Sequence, residues 1–191
     1  MFNVDIHTMA SVPDHTKKLL ESVADSIGFV PNIYAVTAES HHALAGLLAI
    51  NNMFRDSSFS PEEQQVILMV TSVENGCDYC VSGHTLMSQT LGIQQQIILA
   101  IRNQEPIRDP RYHILQRVVV ELVCCRGRID QSTLMNFLEQ GYSKAQFFEL
   151  ALGVSVKTFT NYVSNALSLT LDDAFEPYQW HRDCSHASNL N

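Results

Sequence analysis

The amino-acid sequence predicts an all-α protein. Along most of the chain, apolar residues recur at the 3.6-residue period of an amphipathic helix. The apolar runs are also too long for strands, and they lack the turn pairs that separate the strands of a sandwich or barrel. Glycine-rich phosphate loops and nucleophile-elbow motifs, which are typical of α/β enzymes, do not occur in the sequence.

Helix-start and helix-stop residues divide the chain into successive helices. Proline suits the first turn of a helix, serine or aspartate can cap it, and glycine ends it. Ser60 with Glu63 and Ser143 with Gln146 have the capping-box spacing. The predicted helices cover residues 13–28, 39–54, 60–74, 77–91, 93–102, 109–127, 130–141 and 143–171, with a short piece after Pro31.

The chain carries few charges for a soluble domain. Of its 191 residues, 46% are hydrophobic and 17% are charged, with a net charge of −8, whereas about 25% are charged in typical domains. Missing surface charge indicates either an oligomer or a membrane protein. No window reaches ~18 uninterrupted apolar residues, so no membrane span is predicted. The 12 lysines and arginines are scattered, which argues against nucleic-acid binding. We therefore expect a homo-oligomer with an apolar interface.

The chain turns polar after Pro177, around Trp180, which indicates a surface tail. One domain is expected over residues 1–180, followed by the polar residues 181–191. The N-terminus has neither the basic start nor the apolar core of a secretion signal, which favours the cytoplasm. In a reducing compartment the five cysteines are expected to be catalytic, metal-binding or buried rather than disulfide-bonded.

The most informative stretch is residues 75–84. It follows an apolar run at 66–70 that covers every face of its helix, so that helix is predicted to be buried all round. Asn75-Gly76 breaks the chain, and a new helix begins at about Cys77. Because helical residues advance by ~100° each, Cys77, Cys80 and His84 fall within roughly 60° of one another on one face. Backbone N–H groups at a helix start favour a thiolate, and burial opposes it.

Three interpretations of this face remain open. A redox dithiol with a histidine proton partner is favoured by the helix break and by the spacing. The residues could instead be small core side chains. A metal site is the third, but a closed structural zinc needs a fourth ligand, and no matching pair stands elsewhere in the sequence; we expect no metal.

The motif Cys77-Asp-Tyr-Cys80-Val-Ser-Gly-His84, after a helix opened by Ser60-Pro-Glu-Glu, resembles the alkylhydroperoxidase D (AhpD)-like branch of the carboxymuconolactone decarboxylase family. Residues 141–143, 159–162 and 171–175 are similar to the later parts of its peroxidase-related members. The resemblance covers about residues 10–180. It implies an AhpD-like helical bundle that forms trimers or hexamers and reduces hydroperoxides through thiols.

The resemblance also implies a role for each residue of the motif. Cys80 would be the peroxidatic thiolate, Cys77 the resolving thiol and His84 part of the proton relay. Attack on the peroxide leaves a sulfenic acid, which the second thiol converts to a disulfide. No bound cofactor is expected. An external lipoyl group or thioredoxin-like protein would restore the dithiol by exchange.

One residue departs from the family pattern. The AhpD-like proteins have a proton-accepting glutamate twelve residues before the first cysteine, where this chain has Gln65. Glutamine cannot take up a proton at neutral pH; it can only orient a water or donate a hydrogen bond. Either another carboxylate replaces it or the activity is weak. Glu63 and Glu74 are the nearby candidates, although they also fit a capping box and a solvated helix end.

Two other functions remain as alternatives. Gln65 is compatible with a redox sensor that oxidises once without turnover. The family also contains decarboxylases that act on a carboxylated lactone without a Cys-x-x-Cys pair, and the intact pair argues against that activity.

Other reactive side chains are interpreted as structural. Cys124 and Cys125 lie in an apolar helix and are expected in the core. Glu121, if buried, needs a partner, and Arg117 four residues earlier is the expected one. The remaining candidates are interpreted as helix-start or tail residues rather than metal ligands: His41, His42, His181, Cys184 and His186.

Overall fold

A computed structural model describes residues 4–182. Within that range the chain forms nine α-helices and one 3-10 helix and contains no strand, so the predicted all-α class is confirmed. The helices are α1 Asp14–Ile27, α2 Asn32–Thr37, α3 His41–Arg55, α4 Pro61–Glu74, α5 Asp78–Thr90, α6 Gln95–Arg102, α7 Pro110–Cys124, α8 Gln131–Glu139 and α9 Lys144–Leu167, and the 3-10 helix is Asp173–Tyr178.

Helix α4 lies at the centre of the bundle and packs against α3, α5, α6, α7 and α9. Every residue from Glu63 to Val73 is buried, as the apolar run on all its faces predicted. The predicted capping box is present at its start: Ser60 Oγ accepts from the Glu63 N–H, and Glu63 Oε2 accepts from the Ser60 N–H. Two backbone N–H groups at the helix start are thereby satisfied although the helix is surrounded by protein.

The chain then turns sharply from α4 into α5. Gly76 stands at this turn with a φ of +60°, a left-handed conformation that glycine adopts without a Cβ clash. Asn75 ties the turn to α9, because its side-chain amide donates to Asn161 Oδ1 at 3.0 Å and its carbonyl accepts from Asn165. The start of α5 is therefore held in register with the long last helix.

The C-terminal segment packs along α5. Phe175 lies against Gly83, where an added Cβ would come within 3.1 Å of the ring. The backbone N–H of Trp180 donates to Ser82 Oγ, and Arg102 donates to the carbonyls of Tyr178 and Gln179. The interpretation of the chain after Pro177 as a surface tail is therefore wrong for Trp180, which is buried. Residues 183–191, including Cys184 and His186, lie outside the described range.

Two other predictions about side chains have different outcomes. Glu121 does pair with Arg117, at 3.3 Å, and it also accepts from the Thr133 hydroxyl. Cys124 and Cys125, in contrast, are exposed rather than in the core, because they close the last turn of α7 where the chain leaves the bundle. In the described residues, no helix is long and apolar enough to cross a membrane.

Candidate active site

The two thiols of the site lie at the start of α5. Cys77 is the residue that caps this helix, and its sulfur accepts the backbone N–H of Cys80 at 3.4 Å. Cys80 lies one turn further along, and its thiol is hydrogen-bonded to the Cys77 sulfur. Both side chains are reduced and buried. The predicted shared face of Cys77, Cys80 and His84 thus contains two thiols in direct contact.

The environment separates the acidities of the two thiols. The pKa of Cys77 is lowered to about 6, first by the hydrogen bond from Cys80 and then by the Ser164 hydroxyl, the Cys80 N–H and the positive charge of Lys157. Burial raises the pKa of Cys80 well above its ordinary value, and its bond to Cys77 raises it further. In the reduced protein the thiolate therefore belongs to Cys77, and Cys80 keeps the shared proton.

This distribution of charge is the reverse of the one that the resemblance implied for the resting state. A cysteine at a helix cap accepts hydrogen bonds that stabilise its thiolate, whereas Cys80 follows inside the helix. Solvent exposure does not separate the two, since Cys77 is 0% and Cys80 3% exposed. Which sulfur attacks a peroxide is a separate question, because the two groups titrate as one pair. The peroxidatic role of Cys80 stays a prediction.

His84 lies between two side chains from other helices. Its Nδ1 is 2.8 Å from Gln65 Oε1 on α4, and its Nε2 is 2.8 Å from Lys157 Nζ on α9. Burial and the neighbouring ammonium both lower the pKa of the imidazole well below its ordinary value. His84 is thus neutral, and both of its ring nitrogens are engaged by Gln65 and Lys157. The expected exchange of a proton with Cys80 stays a prediction.

Helix α9 supplies the remaining polar groups around the thiols. Asn161 is hydrogen-bonded to the sulfur of Cys80 and donates to Ser72 Oγ on α4 at 3.3 Å. Ser164, one turn after Thr160, is hydrogen-bonded to the sulfur of Cys77. Lys157 begins this row of polar side chains on a helix that is otherwise rich in apolar residues. Helices α4, α5 and α9 thus meet at the dithiol.

The carboxylates considered as substitutes for the family's glutamate are engaged elsewhere. Glu63 accepts from Arg111 Nε and from the Tyr142 hydroxyl, each at 2.7 Å, in addition to its capping bond. Burial raises the pKa of Glu63, but these hydrogen bonds outweigh it, so that the net pKa is lowered. Glu74 accepts from the thiol of Cys124 at 3.2 Å. Of the three relay candidates, the structure brings Gln65 alone into contact with His84.

The other histidines are also placed by local contacts. His41 at the start of α3 is 3.2 Å from the Thr16 hydroxyl on α1 and packs edge-on against His15, which fits the expected helix-start role. His181 contacts the carboxylate of Asp78 at 2.9 Å. Within residues 4–182, no three histidine, cysteine or acidic side chains are grouped so that they could hold a metal ion.

Sequence reasoning missed Lys157, Asn161 and Ser164 as members of the site. They lie some eighty residues after the motif, and no spacing rule connects them to it. One signal was present: Lys157 is a charged residue in the long apolar stretch, and charged side chains are rarely buried without a purpose. A lysine in such a helix is a reason to look for a buried partner.

The comparisons with known proteins agree with this geometry. Residues 41–110, which include α4, the dithiol and His84, match the model of the carboxymuconolactone decarboxylase family. No curated protein matches the sequence. The segment around the dithiol is therefore similar to that family, in agreement with the resemblance carried by the motif.

Three solved structures illustrate the similarity. A peroxidase-related protein with an AhpD core from Ralstonia eutropha JMP134 has a TM-score of 0.78 at 17% identity, covering 92% of this chain and 96% of its own. One from Silicibacter sp. TM1040 has a TM-score of 0.78 at 20% identity, covering 91% and 92%. A variant of the debrominase Bmp8 in complex with 2,3,4-tribromopyrrole has a TM-score of 0.79 at 13% identity, covering 93% and 96%. At these identities the likeness shows the fold.

Proposed function

We propose that this protein is a thiol peroxidase that reduces hydroperoxides through Cys77 and Cys80. The observation that carries the proposal is the paired geometry of the two cysteines: Cys77 caps α5, and its sulfur accepts the Cys80 N–H at 3.4 Å. The lowered pKa of Cys77 and the raised pKa of Cys80 support it. The fold supports a peroxidase-related role but does not select the reaction, because a debrominase shares it. The dithiol, which can pass from two thiols to a disulfide, supports peroxide reduction as the reaction.

The resting charge distribution is compatible with attack by Cys80. As the Cys80 sulfur bonds to the outer peroxide oxygen, the Cys77 thiolate takes its proton across the existing hydrogen bond. The O–O bond breaks, Cys80 becomes a sulfenic acid, and the peroxide leaves as an alcohol after protonation. The Cys77 thiol then attacks this sulfenic acid, and a disulfide and water form. An external dithiol, a lipoyl group or a thioredoxin-like protein, reduces the disulfide by exchange. No bound cofactor is required.

The test is steady-state consumption of hydrogen peroxide and organic hydroperoxides with dihydrolipoamide or thioredoxin as the donor. Cys80→Ser and Cys77→Ser should each abolish turnover, whereas Cys124→Ser, which changes an exposed cysteine outside the site, should not. In a single turnover, dimedone should trap a sulfenic acid on Cys80 in the Cys77→Ser variant. If the Cys80→Ser variant consumes peroxide as fast as the parent, the nucleophile is wrongly assigned.

The same assay separates the alternatives. A redox sensor would oxidise once and then stop, even with donor in excess. A lactone decarboxylase would keep its activity after both thiols are alkylated, whereas the proposed peroxidase would lose it.

A further inference from the structure

The ring of His84 has a defined protonation state because of its neighbours. Lys157 Nζ, 2.8 Å from Nε2, can only donate, since an ammonium has no acceptor. Nε2 must therefore carry the lone pair. A neutral imidazole with a lone pair on Nε2 carries its proton on Nδ1, and that N–H donates to Gln65 Oε1 at 2.8 Å. The three side chains thus form one hydrogen-bond chain, in which Lys157 donates to His84 and His84 donates to Gln65.

Gln65 suits this hydrogen-bond chain better than a glutamate would. Its amide oxygen accepts the Nδ1–H without carrying a charge, so it fixes the tautomer and leaves the ring neutral. A carboxylate there would favour the imidazolium, because an opposite charge stabilises the charged form. An imidazolium has no lone pair to offer the ammonium. The departure from the family pattern at residue 65 is therefore coupled to the presence of Lys157.

The charge of Lys157 is directed at the thiols. In the described part of the chain Lys157 forms no ion pair with a carboxylate, and its charge lowers the pKa of both Cys77 and Cys80. The phenols of Tyr34 and Tyr79 also lie near Cys80, but burial raises the pKa of each, so they are neutral. Lys157 shares one face of α9 with Asn161 and Ser164, whose side chains are hydrogen-bonded to the sulfurs of Cys80 and Cys77. The ammonium therefore lies on the side of α9 that faces the dithiol.

We propose that Lys157 is the cation of the dithiol site and the acid that protonates the departing alkoxide, and that His84 and Gln65 are positioning residues that hold its ammonium. This inference rests on the proposed peroxidase function. When Cys80 attacks, the S–O bond forms and the O–O bond breaks, and the alkoxide takes a proton from the Lys157 ammonium. Water then returns a proton to the amine, which is only partly buried. The Cys77 thiolate, the Cys80 thiol and one hydroperoxide together give one disulfide, one alcohol and one hydroxide ion.

The experiment measures two quantities: the pKa of the reactive thiol, which requires no peroxide, and the rate of peroxide consumption. Lys157→Met removes the charge, Lys157→Arg keeps a charge that does not release a proton, and Lys144→Met is the matched control at the exposed start of the same helix. For each, the rate of alkylation of Cys77 by iodoacetamide is followed against pH, with labelled sites mapped by mass spectrometry. Peroxide consumption is measured in parallel, and melting temperatures check that each variant folds.

In Lys157→Met we expect the pKa of the reactive thiol to rise by about one unit or more and peroxide consumption to fall about a hundredfold. Lys157→Arg should keep the low thiol pKa but remain slow. Lys144→Met should match the parent in both. An unchanged thiol pKa in Lys157→Met overturns the role as cation, and full activity in Lys157→Arg overturns the role as acid.

Failure of the proposed function gives a different result. If the parent protein consumes no peroxide, the proposed peroxidase function is wrong. The alkylation profiles still decide whether Lys157 stabilises the thiolate. The tautomer of His84 provides an independent check, because nitrogen NMR of the imidazole should show the proton on Nδ1 in the parent. A proton on Nε2 contradicts the chain on which the proposal rests.

Discussion

At the scale of single residues, the site depends on which sulfur holds the shared proton. Two thiols in contact cannot both ionise easily, because the second negative charge is repelled by the first. The helix cap at Cys77 and the burial of Cys80 resolve this competition in one direction. The pair therefore offers a thiolate near neutral pH while one proton is kept for the partner.

A pH profile of alkylation tests this order of acidities. With the pKa of Cys77 lowered to about 6, its thiolate fraction grows as the pH rises through 6, whereas an ordinary cysteine ionises near ~8.5. The rate at which iodoacetamide labels Cys77 should therefore rise with a midpoint near pH 6, whereas labelling of Cys124, whose pKa is raised to about 12, should rise only at alkaline pH. Peptide mapping after brief labelling gives both profiles, and their midpoints are compared rather than their rates because Cys77 is buried and Cys124 exposed. A midpoint for Cys77 at that of an ordinary cysteine would contradict the helix-cap effect.

The glutamine at position 65 gives a second prediction at this scale. Gln65→Glu places a carboxylate against the Nδ1–H of His84, and this should raise the pKa of the imidazole, as measured by NMR titration. Because the resulting imidazolium repels Lys157, we expect peroxide consumption not to increase. Gln89→Glu, an exposed change of the same kind on α5, is the control. A faster Gln65→Glu enzyme would show instead that proton transfer through residue 65 limits the rate.

At the scale of helices, some features could be predicted from the sequence and others could not. The capping boxes at Ser60 and Ser143 and the all-round burial of α4 depend on residues close together in the chain, and these predictions are confirmed. Contacts that join distant segments leave no local pattern. The pairing of Lys157 with His84 depends on how α9 lies against α5.

The same distinction explains the wrong predictions. The apolar composition around Cys124 and Cys125 indicated a core position, but α7 ends there and the chain leaves the bundle. The polar sequence around Trp180 indicated a tail, but its indole N–H finds the carbonyl of Arg102 at 3.0 Å. In both cases the surroundings of a side chain were decided by tertiary packing rather than by its sequence neighbours.

The close packing of α9 on α3 leads to a prediction about stability. A Cβ at Gly153 would lie 2.5 Å from the ring of Phe54, whereas one at Gly46, within α3, would meet nothing within 4 Å. Gly153→Ala should therefore lower the free energy of unfolding by about 1–3 kcal/mol through overpacking. Gly46→Ala should raise it by up to about 1 kcal/mol, because alanine is the better helix former. Urea denaturation measures both.

Gly153→Ala should also affect the dithiol site, since Gly153 lies one turn before Lys157. If α9 moves away from α3 to admit the new methyl group, the ammonium moves with it, and the thiol pKa should rise in Gly153→Ala but not in Gly46→Ala. Equal stability of the two variants would mean that the helices are less tightly packed than these distances require.

At the scale of the whole molecule, the low content of charged residues corresponds to an exposed apolar surface on one helix. Helix α9 presents a stripe of exposed large side chains to one side: Phe148 is 72% exposed, Phe159 40% and Tyr162 62%. Positions 148, 155, 159 and 162 fall on one face at helical spacing. Although Ser155 interrupts the row, large exposed apolar side chains grouped on one face are typical of protein interfaces.

We therefore expect the protein to form a homo-oligomer through this face of α9. Phe148→Glu places a charge in the stripe, and it should shift the sedimentation coefficient and the light-scattering mass toward those of the monomer, because an unpaired charge is costly to bury in an interface. Gln96→Glu adds the same charge at an exposed polar position on α6 and should leave the assembly intact. A stable monomer of the parent chain at micromolar concentration would contradict the prediction. An oligomer that tolerates Phe148→Glu would place the interface on another surface, and the exposed side chains Met53 and Met135 would be the next to change.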